Sequence, residues 1–379
     1  NTAIGKNSLG ANTTGSENVS IGSDALPANT TGYANSAIGY GVLMNNTTGN
    51  VNTAIGWRAM ESNTTGESNT ATGKWTLKEN TTGSENTASG AEVLRSNTTG
   101  SRNTVSGTEG LYSNTTGSFN TATGHSSLKA NTTASGNTAN GYYSLKANTT
   151  GSANTALGYN SLLASTTANN NTAIGYASLY SNTTGTDNTA IGKNALQSVT
   201  TGANNTGIGK EAGKSLTTGS NNIIVGEEAV ASAVNASNQI VMGREAVGHG
   251  DNIAVIGNTD MTAWHPADDN GVDLGSTSYE FKNLYVDGTS FADALGFGTV
   301  AMTVPTADGS NGQTLITNGS GALSWSTISA GATNVNGLSD GLIEDNSMYI
   351  GNDPSSSTST AEYNIAIGTT ALDAVTTGD

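Results

Sequence analysis

The sequence predicts an all-β protein: a parallel β-roll, or β-solenoid, of seventeen-residue coils, wound as a homotrimeric fibre and interrupted by a small β-rich connector. Three observations carry this. The phrase NTAIGKNSLGANTTGSE at residues 1–17 recurs at once as NVSIGSDALPANTTGYA, NSAIGYGVLMNNTTGNV and NTAIGWRAMESNTTGES. Its landmark glycine returns every seventeen residues, from Gly5, Gly22 and Gly39 to Gly226 and Gly243, without one insertion. Such constant spacing marks a solenoid, in which each unit stacks on its neighbour and an added residue must bulge outward. Composition agrees: only 34% of the 379 residues are hydrophobic and 50 are Gly, yet only 11% are charged. Disordered chains of low apolar content carry high charge and no periodic apolar positions.

Each coil opens on a strand. Ile4, Ile21, Ile38 and Ile55 stand two residues after Thr2, Val19, Ser36 and Thr53 and share one strand face with them, while Ala3, Ala37 and Ala54 face the other way. Leu9, Leu26, Leu43, Met60, Leu77 and Leu94 mark a second apolar stripe, which we place on a facing strand of the same coil. The landmark glycine and the Asn-Thr-Thr-Gly phrase make the two turns, because Gly allows positive φ and Asn and Thr bond to nearby backbone. A helix is excluded, since Gly, Asn and Thr are poor helix formers and no apolar i, i+3, i+4 series occurs. At about 4.8 Å per coil, the fifteen coils make a rod of roughly 70 Å. Asn1, Asn18, Asn35, Asn52 and their successors to Asn222 then form an amide ladder. It reads either as a binding strip or as hydrogen bonding between coils. The second is preferred, since stacked amides satisfy one another in any cross-β stack.

One Ile and one Leu per coil make a thin core for seventeen ordered residues. In the middle coils the Ile position even becomes Thr72, Ser89, Ser106, Thr123 and Asn140. A second source of burial is needed, and the small side chains of Ala54, Ala71 and Ala88 would let chains approach closely. We therefore expect a parallel homotrimer.

The strands NTAIG, NSAIG and NIAIG, each followed by a small residue and Leu, resemble the head repeats of trimeric autotransporter adhesins. The resemblance covers residues 1–257, resumes at 364–379, and implies a left-handed parallel β-roll wound into a threefold bundle. That family's usual coil is shorter, closer to the fourteen-residue step from Gly243 to Gly257, and the Asn-Thr-Thr-Gly turn lengthens this one. After Gly257 the period stops. VDLGSTSYEFKNLYVDGT (272–289), which brings Tyr279, Phe281, Leu284 and Tyr285 together, and TVPTADGSNGQTLITNGSGALSWST (303–327) resemble connector modules of bacteriophage tail-fibre proteins. The second reads as a hairpin, with Thr314 to Thr317 and then Leu323 and Trp325 flanking an Asn-Gly-Ser-Gly turn. SMYIGND and NIAIGTTALDAVTTG restart the roll. The expected organisation is a β-roll shaft at 1–257, with fifteen seventeen-residue coils and one shorter step, a connector at 258–346, and the start of a second roll at 347–379. The first residue lies inside one repeat and the last inside another, so a window from a longer protein is expected.

Candidate site residues are aromatic. Tyr40, Trp57, Tyr142, Tyr159 and Tyr176 each follow a landmark glycine, with Trp75 and Tyr143 at the neighbouring position. Exposed, they would stack on sugar rings; otherwise they pack on adjacent coils or between chains. No catalytic residue, metal or cofactor is expected. His125, His249 and His265 are far apart and form no H-x-H pair. GIGKEAGKS (207–215) has five residues between Gly207 and Gly213 where a phosphate loop needs four. ADDNGVD (267–273) lacks the spaced acidic loop and terminal Glu of a calcium site, and the Asn-Thr-Thr sequon is more simply a turn.

A net charge of −16 with only 13 Lys and Arg argues against a nucleic-acid partner. Without Cys there is neither a disulfide frame nor a thiolate site, and no 18-residue apolar span suggests membrane insertion. No irregular insertion supplies a paired-carboxylate cleft, so no enzyme is expected. An ice-binding solenoid is disfavoured because the adjacent Thr13 and Thr14 should point to opposite faces. The expected function is that of a structural fibre on the virion surface, a phage tail fibre or similar appendage that projects host-recognition elements toward a bacterial surface. Its partners would be further copies of itself, host cell-surface glycans or an outer-membrane receptor, and other fibre or baseplate proteins. The alternative is a bacterial cell-surface adhesin of the trimeric autotransporter type.

Overall fold

The computed structural model describes residues 1–264 and, beyond them, 278, 281–283, 285, 294–297, 300–303, 305, 309–311, 313–320, 322–327, 341–344, 347–350 and 365–367. The chain divides into two compact units, Asn1–His265 and Pro266–Asp379. The described residues are all-β, with no helix among them.

Sixteen three-residue strands, β1 (Thr2–Ile4) to β16 (Ala254–Ile256), form one parallel sheet in strict chain order. Thr53 pairs with Thr70, Ala54 with Ala71 and Ile55 with Thr72, an offset of seventeen that holds from coil to coil. At the last step Ile240 pairs with Ala254, an offset of fourteen. Parallel strands need a crossover longer than a hairpin turn, and here the rest of each coil supplies it as a run of turns. The fold is a parallel β-solenoid.

The structure corrects two expectations. The Leu stripe does not lie on a second strand, because each coil contributes one strand to the sheet. Leu26, Leu43 and Leu94 sit in left-handed turns, with φ of 49°, 51° and 49°. That backbone costs an L-residue about 1–2 kcal/mol. It is held by bonds between coils, such as Leu26 N–H donating to the Val42 carbonyl at 3.0 Å, and by full burial of the side chain.

The second correction concerns the strand faces. Ala37, Ala54, Ala71 and Ala88 are completely buried inside the coil, whereas Ile38 and Ile55 are each 38% exposed. The small face therefore lines the core and cannot bring chains together; the Thr and Ile face looks outward. Volume explains the choice. The interior is narrow and Leu fills it, so the strand residue opposite must be small. A Cβ on Gly207, at the Ala position of its coil, would lie 2.6 Å from Leu196 Cγ. Where the strand position enlarges, a neighbour shrinks: Val105 faces Gly110, and Ile224 fills space beside Gly213. Cores tolerate such swaps when total volume is kept.

The landmark glycine turns the corner after each strand. Gly56 has φ +135°, and a Cβ there would overlap the Gly73 carbonyl of the next coil. Both the conformation and the close approach exclude a side chain.

Buried amides replace the missing apolar bulk. Asn18, Asn35, Asn52 and their equivalents are fully buried. Asn35 N–H donates to Asn18 Oδ1 at 2.9 Å, and Asn35 Nδ2 donates to the Gly49 carbonyl at 2.9 Å. A second ladder, not foreseen from the sequence, uses the Asn of Asn-Thr-Thr-Gly. There Asn46 Nδ2 donates to Asn29 Oδ1 at 2.9 Å and to the Gly49 carbonyl at 3.0 Å. Satisfied networks of this kind specify one register. Burial rules out the surface-strip reading of the first ladder. The second is broken at Ser165 and again at Val199, and there Asn148 Oδ1, Ser165 Oγ and Asn182 Oδ1 are buried without a hydrogen-bond partner.

In the second unit, β17 (Ala294–Phe297) and β18 (Val300–Thr303) pair antiparallel, as do β19 (Gln313–Thr317) and β20 (Leu323–Thr327). The latter pair places Leu315 opposite Trp325, with Gly319 at φ 74° in the connecting turn. β21 (Gly341–Glu344) pairs antiparallel with β22 (Ser347–Ile350), which pairs parallel with β23 (Ile365–Ile367). Met348 meets Ile365 there, again seventeen residues on. His265, ADDNGVD and most of 272–289, including Tyr279 and Leu284, lie outside the described residues.

Candidate ligand-binding face

The position after the corner glycine forms a column along the shaft, because the coils stack in register. Tyr142, Tyr159 and Tyr176 are brought together there. Their ring centroids are 5.2 and 5.4 Å apart, and the planes lie within 8° and 3° of parallel. His125 extends the stack below Tyr142, at 5.3 Å and 15°. Trp57 is paired instead with Trp75, at 5.0 Å and 45°, and Tyr40 sits one coil before Trp57. All five candidates keep roughly two fifths to a half of their surface exposed. The ladder is thus both exposed and packed on adjacent coils. Within the Tyr stack each ring covers its neighbour's face, so Tyr159 offers an edge and a hydroxyl to solvent.

Cations interleave with these rings. Lys74 Nζ lies 3.9 Å from the Trp75 centroid, Arg95 Cζ is 4.7 Å from Trp75 and 5.4 Å from Tyr112, and Lys146 Nζ is 3.8 Å from Tyr143. At exposed sites such contacts contribute about 0.5–1 kcal/mol each. Glu61, Glu79, Glu92 and Glu109 answer part of the charge: Arg95 pairs with Glu92 at 3.0 Å and Lys129 with Glu109 at 2.7 Å. The hydrogen bond from Lys129, helped by one from Ser126, holds the Glu109 carboxyl below the usual carboxylate range against the opposing effect of burial. Lys78 does the same for Glu79. A hydrogen bond with Tyr143, then burial and the neighbouring phenols, push Tyr142 up to about 12. It is a neutral hydroxyl at physiological pH.

Beside the ladder runs an open groove of about 680 Å3. Tyr142, Tyr143, Tyr159 and Asn160 border it on the column after the glycine, and Lys129, Lys146, Leu163 and Tyr180 on the column after the core Leu. Ala130, Ala147 and Ala164 also line it. Asn160 Oδ1 is buried without a hydrogen-bond partner. Sequence reasoning found the tyrosines and missed the lysines, although Lys78, Arg95, Lys129 and Lys146 recur at one position of the coil once it is laid out in seventeens.

Other sequence candidates fall elsewhere. Gly207 and Gly213 face the Leu196 side chain in the core, so packing accounts for the glycines of GIGKEAGKS. Among the described residues no group of three or more His, Cys, Asp or Glu could hold a metal, and no helix is long and apolar enough to cross a membrane. Comparison with protein-family models, curated proteins and solved structures finds no match to this chain.

Proposed function

We propose that the chain is a shaft segment of a virion fibre, a phage tail fibre or similar appendage, working as a parallel homotrimer that projects host-recognition elements toward a bacterial surface. One observation carries the reading: an uninterrupted register of coils leaves apolar strand residues outward on either side of its polar middle coils. Ile38, Ile55, Leu157, Ile191, Ile208 and Ile240 are each about two fifths exposed and recur along the sheet. In the middle coils Thr72, Ser89, Ser106, Thr123 and Asn140 interrupt this face, so it forms two apolar patches, one on either side of them. Exposed patches of this kind mark interaction surfaces, and identical patches on identical chains suit a symmetric assembly. The work is mechanical. A stiff rod sets reach, and repeated copies raise avidity without strong single contacts. The reading assigns the chain no catalytic step, cofactor or metal.

The alternative, a bacterial surface adhesin of the trimeric autotransporter type, draws support from the fourteen-residue step between Ile240 and Ala254, which the sheet accepts without a break.

Electron microscopy tests the reading. Purified chain gives straight rods of uniform width, and deleting the four coils at 70–137 shortens them by about 19 Å. Flexible threads or globules would overturn it.

A further inference from the structure

The geometry points to the groove beside Tyr142 and Tyr159 as a binding site for a linear acidic polysaccharide, a carboxylate-bearing sugar chain lying along the shaft. This rests on the surface-attachment reading above and names what the flank of the fibre would hold.

Charge is the first argument. The chain is strongly acidic, yet six of its 13 basic residues, Arg58, Lys74, Lys78, Arg95, Lys129 and Lys146, lie on this flank. Contacts with Trp57, Trp75, Tyr112 and Tyr143 place five of them there, and Lys78 joins them through Glu61 and Glu79. Glu61, Glu79, Glu92 and Glu109 leave two positive charges in excess. Lys129 is occupied by Glu109, but Lys146, which borders the groove with its ammonium over the Tyr143 ring, has no ion pair among the described residues. A cation desolvated on one side by an aromatic face and lacking a carboxylate is suited to receive one from a ligand.

Shape is the second. The groove borders recur at the coil spacing, Lys129, Lys146, Leu163 and Tyr180 in one column and Ser113, Ala130, Ala147 and Ala164 in the next, so it runs with the rod axis and fits an extended polymer. Its chemistry is that of tyrosine phenols and lysines, with small apolar stretches at the alanines. That is a surface for a hydroxyl-rich chain.

Ring geometry decides between polyanions. Single-stranded nucleic acid is held by stacking bases on open aromatic faces, but the faces of Tyr159 are covered by Tyr142 and Tyr176. Edges and hydroxyls remain, which favours the sugar chain. The site lies on the turn run after the corner glycine, apart from the outward strand face.

The test uses the full chain and labelled oligogalacturonate in fluorescence anisotropy, with a neutral maltooligosaccharide and oligo-dT as comparators. We expect salt-sensitive binding of oligogalacturonate, weakened about fivefold by Lys146→Gln and retained by Lys146→Arg. Lys193→Gln, which removes an exposed lysine outside the groove, leaves it unchanged. No binding, equal binding by Lys146→Gln, or oligo-dT binding as tightly as the uronate would each overturn the proposal. A light-scattering mass on the same sample separates the two claims. A trimer that ignores oligogalacturonate sinks the groove alone, and a monomer that binds it sinks the fibre reading alone.

Discussion

The break in the second amide ladder at Ser165 gives a perturbation whose sign is unusual for a buried polar substitution: Ser165→Asn should stabilise the shaft. In an intact rung such as Asn46, the side chain donates to the Asn29 oxygen one coil earlier and to the Gly49 carbonyl, and accepts from Asn63 at 2.8 Å. At position 165 a serine cannot span these distances, and Asn148 Oδ1 and Ser165 Oγ are left buried without partners. The amide introduced by Ser165→Asn would donate to Asn148 Oδ1 and to the Ala168 carbonyl, and accept from Asn182 Nδ2. An Ala at the acceptor position is no obstacle, because Asn131 makes the same bond to Ala134 at 3.1 Å. Each new bond contributes about 1 kcal/mol net and the cost of an orphaned acceptor disappears, while ordering the longer side chain offsets part of the gain, leaving about 2 kcal/mol. Local opening around the break becomes rarer by the same factor, so amide exchange at Leu162, Thr166 and Leu179 should slow about thirtyfold. Thermal unfolding should rise by about 4–8 °C. The control is Ser165→Ala, which removes a hydroxyl with no partner and should be close to neutral. An Asn variant no more stable than the native chain, or an Ala variant that loses more than about 1 kcal/mol, would refute the ladder account.

Three further outcomes follow from the packing. Gly110→Ala places a methyl 2.6 Å from Val105 Cγ1 and should cost about 1–3 kcal/mol in thermal or denaturant unfolding, with Val105→Ala in the same chain recovering most of it. Val51 is a β-branched residue at φ 57°, so Val51→Asn should raise stability by about 1 kcal/mol, as expected from Asn170 and Asn204 at φ 59° and 57° in the same column. Acid titration should show a loss of stability from the Lys129–Glu109 pair. The folded carboxyl titrates below its ordinary value of 4.5, so the contribution is present above that pH and fades as pH falls through the folded value. Lys129→Met should flatten that part of the stability-pH profile.

The period, the strand and the corner were legible because each is a local consequence of residue type. The corner Gly after each strand of the shaft, at φ between +91° and +139°, can be placed from the spacing alone. What escaped was the interior. Thr53, Ala54 and Ile55 alternate, which fixes that Ala opposes its neighbours but not which side faces in. Hydrophobicity points to Ile, and the narrow cross-section, already filled by Met60 and its equivalents, decides for Ala. The left-handed Leu was invisible for a related reason. Nothing in the residue favours φ near 50°, and only the bond to the next coil, such as Leu43 N–H to the Ala59 carbonyl at 3.1 Å, holds it there. At the candidate site the tyrosine column was readable one residue at a time, whereas Lys146 gains meaning only from the rings and the groove beside it.

The account depends most on what covers the outward strand face, and solution mass measures this directly. Light scattering coupled to size exclusion should give three times the 37.9 kDa of one chain. Ile55→Glu with Ile191→Glu should lower that mass while leaving the β-rich circular dichroism intact. A native chain that runs as a 37.9 kDa monomer at micromolar concentration, with Ile38 and Ile55 left open to water, would contradict it.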